Sequence, residues 1–218
     1  MPAYKHIIWD WNGTLFNDSW LCLKSMNLVL SRRDMPALTQ DRYEQIFEFP
    51  VINYYRKLGF DFDSEPFEIS GMEFIHEYNS RHHLPELQPE ALSILKKIHS
   101  SEITQSLLSA QEQNTLDDLI KRFEIGHLFQ RVIGLDNHYA YSKIDSGKAW
   151  MNELNLDSHE VLFIGDTDHD KEVADAIGAD CILIPAGHQT REKLEATGAP
   201  VISSLKEIPG YMGINSPD

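Results

Sequence analysis

Two acidic turns, far apart in the chain, hold the residues best suited to chemistry. The first, Asp10-Trp11-Asn12-Gly13-Thr14-Leu15, follows the apolar run Ile7-Ile8-Trp9. Desolvation disfavours a carboxylate at the mouth of a buried strand unless hydrogen bonds or a cation support it. Gly13 lets the backbone turn away and presents N–H groups able to hold an anion. Taken alone, Asp10 also fits the blander role of a strand-ending turn residue. The second turn shifts the balance: Val161-Leu162-Phe163-Ile164 runs into Gly165-Asp166-Thr167-Asp168-His169-Asp170. Side by side, two such strands bring Asp10, Asp166 and Asp170 to one carboxyl edge, where open α/β sheets bind ligands. Converging carboxylates repel one another and call for a divalent cation. Oxygen donors without a supporting cysteine favour Mg2+ over zinc.

The elements that must position these residues follow from the apolar pattern. The run at 161–165 is continuous rather than alternating, which reads as a strand buried on both faces of a parallel sheet. After a helix near 89–100 the chain alternates: strand 104–109, helix 112–123, strand 131–135, helix 146–154, strand 161–165, helix 170–177, strand 181–184. Such alternation predicts an α/β fold with a doubly wound parallel sheet. Between the first strand and this array only helices are expected. One opens at the capping side chains of Asn17-Asp18-Ser19 and continues to residue 30; others lie near 40–47, 51–58 and 70–82. Residues 18–84 thus read as an all-helical insertion in a core formed by 1–17 and 85–218. Phe16-Asn17-Asp18 and Leu84-Pro85-Glu86 would be its hinges.

Bulk properties narrow the partners. The 218 residues are 42% hydrophobic, enough for a core domain and a small insertion. With 34 acidic against 19 basic residues the formal charge is −15, a field that repels nucleic acid and anionic membrane. No apolar stretch is long enough to span a bilayer, and the first strand begins too early to leave room for a signal peptide. Cys22 and Cys181 have no metal or redox spacing and read as reduced, buried thiols, so the expected location is cytoplasmic.

Four ordered motifs resemble the haloacid dehalogenase superfamily of aspartate-nucleophile hydrolases, and the match covers most of the chain. They are the Asp10 turn, the strand-closing serine in Ser106-Leu107-Leu108-Ser109-Ala110, the lysine in Tyr141-Ser142-Lys143-Ile144, and the acidic Gly165 to Asp170 segment. The Rossmann-like core is expected from this resemblance, with the helical block as a cap over the site. The resemblance further implies a magnesium-dependent phosphatase acting on a small phosphorylated metabolite, similar to phosphoglycolate phosphatases. Asp10 would be the nucleophile, forming an aspartyl-phosphate. Lys143 and Ser109 would serve catalysis and also hold the phosphate, with Thr14 and the backbone near Gly13 and Ala110. Asp10, the Asn12 carbonyl and Asp166 would ligate the metal, and Asp170 would orient its shell. Asp168 is the alternative to Asp170, and Lys148 to Lys143.

One position departs from the family pattern. Most phosphatases of this superfamily have a second aspartate where this chain has Asn12. An amide can neither protonate a leaving oxygen nor activate water, help worth about 10²–10⁴-fold. His169 or a residue of the helical block could replace it. Alternative readings are a catalytically weak binding module, a phosphonoacetaldehyde hydrolase or a haloacid dehalogenase. Several tempting features have plainer readings. His82-His83 points to different sides of a helix, and Arg32-Arg33 and Arg56-Lys57 read as exposed basic pairs. Phe47, Tyr54 and Tyr55 suit the core of the helical block, while Phe49-Pro50 lies where a loop could reach substrate. Trp9 reads as core and Trp11 as a shield for the site.

Overall fold

The computed structural model describes residues 4–135 and 142–214. Five parallel strands form one sheet in the order β3-β2-β1-β4-β5: β1 (His6–Trp9), β2 (Thr104–Glu112), β3 (Val132–Leu135), β4 (Val161–Gly165) and β5 (Asp180–Leu183). Trp9 is in register with Leu107 on one side and Ile164 on the other, so Asp10 leaves the central strand between β2 and β4. The chain winds outward from β1 through β2 and β3, then returns across to β4 and β5. The reversal of winding lies at β1, the place where such sheets open a crevice.

Burial on both faces accounts for the continuous apolar runs. Ile7, Trp9, Leu107, Leu162 and Ile164 point to one side, packing with Leu95 and Ile98 of α5 (Ala91–His99) and Leu116 and Leu119 of α6 (Gln113–Arg122). Ile8, Leu108, Val161 and Phe163 point to the other, against Trp150 of α7 (Ser142–Leu154) and Val173 and Ile177 of α8 (Asp168–Ile177). Trp11 differs from expectation. It is fully buried, stacked on Phe16 at 5.1 Å in the same layer as Trp9, and serves as core rather than as a shield.

Residues between β1 and α5 form the helices α1 (Ser19–Ser31), α2 (Gln40–Ile46), α3 (Val51–Leu58) and α4 (Phe67–Asn79), which share a separate hydrophobic cluster around Met26, Leu30, Tyr43, Tyr54 and Tyr55. The helix expected over 70–82 begins at Phe67, directly after Pro66, and ends at Asn79. A proline just before the first helical turn costs no helical hydrogen bond, which explains the earlier start. The two connecting segments lie side by side: Asn17 N donates to Glu86 O at 2.9 Å and Gln88 N to Leu15 O at 2.8 Å. No described helix is long and apolar enough to cross a membrane.

Candidate active site

Asp10 follows β1, Ser109 lies late in β2, Asp166 follows β4 and Lys143 sits in the first turn of α7, so four elements converge at the carboxyl edge. Helix α7 starts at Ser142 rather than 146, and this extra turn carries Lys143 to the cluster. Its ammonium donates to Asp10 Oδ1 at 2.6 Å and to Asp170 Oδ1 at 2.7 Å. Lys143 is the only buried lysine or arginine among the described residues. Lys148 lies on the surface. Residues 136–141, including Tyr141 and the loop Asn137-His138-Tyr139, lie outside the described residues.

Each acid is held differently. Asp170 Oδ2 accepts from the N–H groups of Asp166 and Thr167, at 3.1 and 3.0 Å, and from the Thr167 hydroxyl at 2.8 Å. Burial works to raise its carboxyl, but Lys143 and these donors outweigh it and keep it ionised. Asp166, fully buried, accepts from the Thr14 hydroxyl at 3.0 Å and from His188 N at 2.7 Å. Burial, then the neighbouring Asp170 charge, pushes it well above the carboxylate range. Burial likewise raises Asp10, to about 8, because the charges of Asp170 and Asp166 add to it and Lys143 only partly compensates. Burial alone would lower the Lys143 ammonium, but Asp10 and Asp170 hold it charged. Asp168 turns away, accepting from Gln189 Nε2 at 2.7 Å.

These residues fit a hard divalent cation. Carboxylate oxygens of Asp10, Asp166 and Asp170 all lie within 4.8 Å of one another, and all three residues are buried. One ammonium cannot balance three carboxylates, and their mutual repulsion adds to burial in raising Asp10 and Asp166. The oxygen-only donor set suits magnesium.

The sequence reading of Asn12, Thr14 and Gly13 changes in detail. Asn12 directs its amide to Asp18 Oδ2 at 2.8 Å and to the Tyr78 hydroxyl at 3.1 Å. Its Oδ1 accepts from the Ser109 hydroxyl at 3.4 Å, and Ser109 Oγ in turn accepts from Gln111 N. Ala110 is half-buried beside it. Thr14 has its hydroxyl committed to Asp166. Gly13 N donates to Phe16 O at 2.8 Å and Asp18 Oδ1 at 3.0 Å, so the anion it holds is the protein's own. Gly13 adopts φ +79°, and a Cβ there would stand 2.3 Å from Asp166. Asp18 occupies the N-cap position of α1 but makes no capping bond. Its fully buried carboxylate faces the Asp10 turn instead.

Sequence reasoning missed a fourth loop. Gly187, His188 and Gln189 follow β5 and close over Asp166; a Cβ on Gly187 would meet Asp166 at 2.1 Å and Gly13 Cα at 2.5 Å. The clue was present in Cys181-Ile182-Leu183-Ile184-Pro185-Ala186-Gly187, another apolar run ending in glycine. This loop also touches the helical block. His188 Nδ1 lies 2.7 Å from the Tyr43 hydroxyl, and Gln189 Nε2 donates to Phe47 O at 3.0 Å. Phe49 packs on His169 at 4.8 Å. Cys22, expected as a buried thiol, is half-buried and lies 3.7 Å from Asp18.

The model of the haloacid dehalogenase-like hydrolases matches residues 7–184. The chain belongs to that family. A phosphoglycolate phosphatase of Pseudomonas fluorescens is 25% identical, with 94% of this chain and 79% of the relative covered. Another from Aliivibrio fischeri is 23% identical over 59% of this chain, and the chain spans only 57% of that relative's length. A haloacid dehalogenase-like family hydrolase from Streptococcus pneumoniae superposes with TM-score 0.84 at 18% identity, covering 97% of this chain and 99% of the other. Together with the parallel sheet, these place the chain in the α/β core fold expected from its motifs.

Proposed function

We propose that this protein is a magnesium-dependent phosphatase that hydrolyses a small phosphorylated metabolite through an aspartyl-phosphate on Asp10. The observation that carries the reading is the Asp10 carboxylate, bonded to Lys143 and facing Asp166 and Asp170 at the reversal point of the sheet. Phosphoglycolate phosphatases among the relatives support the same class of reaction.

Asp10, Asp166 and the Asn12 carbonyl would hold Mg2+, with Asp170 behind them. Bound there, it would cancel charge between the nucleophile and the phosphate oxygens. Asp10 attacks phosphorus as the P–O ester bond breaks, and the leaving oxygen takes its proton from solvent water; water then attacks the acyl phosphate, releasing phosphate and restoring the carboxylate. Lys143 aims Asp10 and, together with the cation, would favour its ionised form. Asp170, saturated with donors, anchors Lys143. Asn12 gives no proton to the leaving oxygen, so esters of acidic alcohols are hydrolysed faster than alkyl phosphates. The helical block 18–84 acts as the cap, closing through Tyr43, Phe47 and Tyr78.

Phosphate release from an aryl phosphate and from alkyl phosphates, with magnesium and with chelator, tests this reading. Magnesium-dependent release that Asp10→Asn abolishes, in a variant that still melts cooperatively, is the expected result. Activity retained in Asp10→Asn would remove Asp10 as nucleophile.

A further inference from the structure

The charges around the site narrow the substrate. Four carboxylates are buried together, those of Asp10, Asp18, Asp166 and Asp170, against the ammonium of Lys143, with the His188 imidazole 3.6 Å from Asp18. One divalent cation still leaves the formal balance negative before a phosphate dianion enters. A substrate carrying a further carboxylate therefore needs a cation from the helical block.

The described cations of that block are committed elsewhere. Arg32 pairs with Glu73 and Glu77, and Arg33 with Glu65 and Glu73. Lys57 pairs with Glu48, and Arg81 with Glu77. Arg56 bonds Asn53 and lies over the Phe62 ring, while Lys24 and Arg42 are exposed. From the core side, Lys193 donates to Phe47 O and stands 3.9 Å from Asp168. The polar side chains of the block that approach the Asp10 turn beside Asp18 are uncharged, the hydroxyls of Tyr78 and Tyr43 and the Cys22 thiol. Tyr78 bonds Asp18 and Asn12, and Tyr43 meets His188. Tyr54, packed edge-on against Tyr43, is buried with its hydroxyl unpartnered. A buried donor without a partner is costly, and a ligand hydroxyl would satisfy it.

Resting on the phosphatase reading, we infer that the organic part of the substrate is uncharged and hydroxylated, a polyol-type phosphate rather than phosphoglycolate. The Asp18 carboxylate disfavours an acidic tail, and the tyrosine hydroxyls receive a neutral one.

The test compares 2-hydroxyethyl phosphate with phosphoglycolate, nearly equal in size and differing in the charge of the tail. With magnesium, kcat/KM should favour 2-hydroxyethyl phosphate by about tenfold or more. A kcat/KM for phosphoglycolate equal or higher overturns the inference and leaves the phosphatase reading standing. If neither ester turns over, calorimetric binding of each to the wild type with magnesium decides, tighter phosphoglycolate overturning the inference and tighter 2-hydroxyethyl phosphate supporting it; the phosphatase reading falls only if the aryl phosphate is inert as well. Tyr54→Phe should cost about fivefold more on 2-hydroxyethyl phosphate than on ethyl phosphate. Equal losses would overturn the assignment of Tyr54 to the substrate hydroxyl. Arg33→Gln should leave the ratio between the two tails unchanged; a selective loss on phosphoglycolate would mean that the arginines read a carboxylate after all.

Discussion

Replacing Asp166 by asparagine should stabilise the protein without metal and destabilise it, relative to wild type, with metal. Cluster oxygens lie within 4.8 Å of one another. Two unit charges at that separation repel by about 3.5 kcal/mol at an effective dielectric of about 20. Part of this is already relieved, since burial and the Asp170 charge raise the Asp166 carboxyl and favour its neutral form. Asparagine keeps the shape: its oxygen still accepts from His188 N, and its amide can donate to the Thr14 hydroxyl, which reverses its role. A net gain of about 2 kcal/mol remains, or about 4–8 °C in Tm for a chain of this size. Magnesium at a hundred times its Kd adds about 2.7 kcal/mol to the wild type and nothing comparable to the variant, so the order inverts. Thermal melts of both proteins in chelator and in a magnesium series read the crossover directly. A variant that melts lower in chelator, or that keeps the full magnesium response, would refute the charge argument.

Between pH 6.5 and 8 the metal-free protein should lose stability as pH rises, and magnesium should remove that slope. The Asp10 carboxyl is raised to about 8, so in this window the folded state binds a proton that the unfolded chain has released. His6, lowered by burial to about 4, pulls the other way only towards the lower edge of this window, and a Tm that climbs from pH 7.5 to 8 in chelator would contradict the assignment. Asn12→Asp should lower Tm, because it sets a carboxylate where the amide now donates to Asp18 at 2.8 Å, at a cost of about 1–3 kcal/mol. The same change should speed ethyl phosphate hydrolysis; an unchanged kcat would show that another group already supplies the proton. Gly187→Ala should cost about 1–3 kcal/mol and weaken the magnesium response, since its Cβ would meet Asp166 and the Gly13 backbone. An unaltered magnesium titration in that variant would detach this loop from the metal site.

The strands that set the site were legible because burial on both faces leaves the runs Ile7-Ile8-Trp9 of β1 and Val161-Leu162-Phe163-Ile164 of β4 apolar, and a charge follows each. The register of Trp9 with Ile164 follows from that pattern and brings Asp10 beside the β4 turn. Less was legible where a side chain has two possible partners. Asp18 has the type and place of a helix cap, yet its oxygens turn back to Gly13 and Asn12 because two N–H donors there are buried with it. Thr14 followed the same course, drawn to Asp166 by the burial of that carboxylate. The basic pairs in the block could be named from sequence, but their glutamate partners lie on other elements, and only packing of α1 against α4 brings them together. The loop at 187–189 escaped because its contribution to Asp166 is a backbone N–H, which no residue type announces.

Asn12 and Asp18 are best understood as one unit. An asparagine supplies the donor that lets a buried carboxylate sit beside the nucleophile turn, and an aspartate at the same place would repel it. Tyr78 of α4 bonds the same Asp18 oxygen at 2.6 Å, so the departure from the family pattern is wired to the helical block. Opening of the block about the paired segments near 16–18 and 85–88 would break Tyr78–Asp18 and Tyr43–His188. The bonds of Asp18 to Gly13 and Asn12, within a few residues of the pivot, would survive. Each polar contact broken is worth a net of about 0.5–1.5 kcal/mol. A latch of that strength is weak enough for water and ester to enter and strong enough for a bound tail to close. On the phosphatase reading, what asparagine would give up in proton transfer it would return as a fixed anchor for the surface that meets the tail.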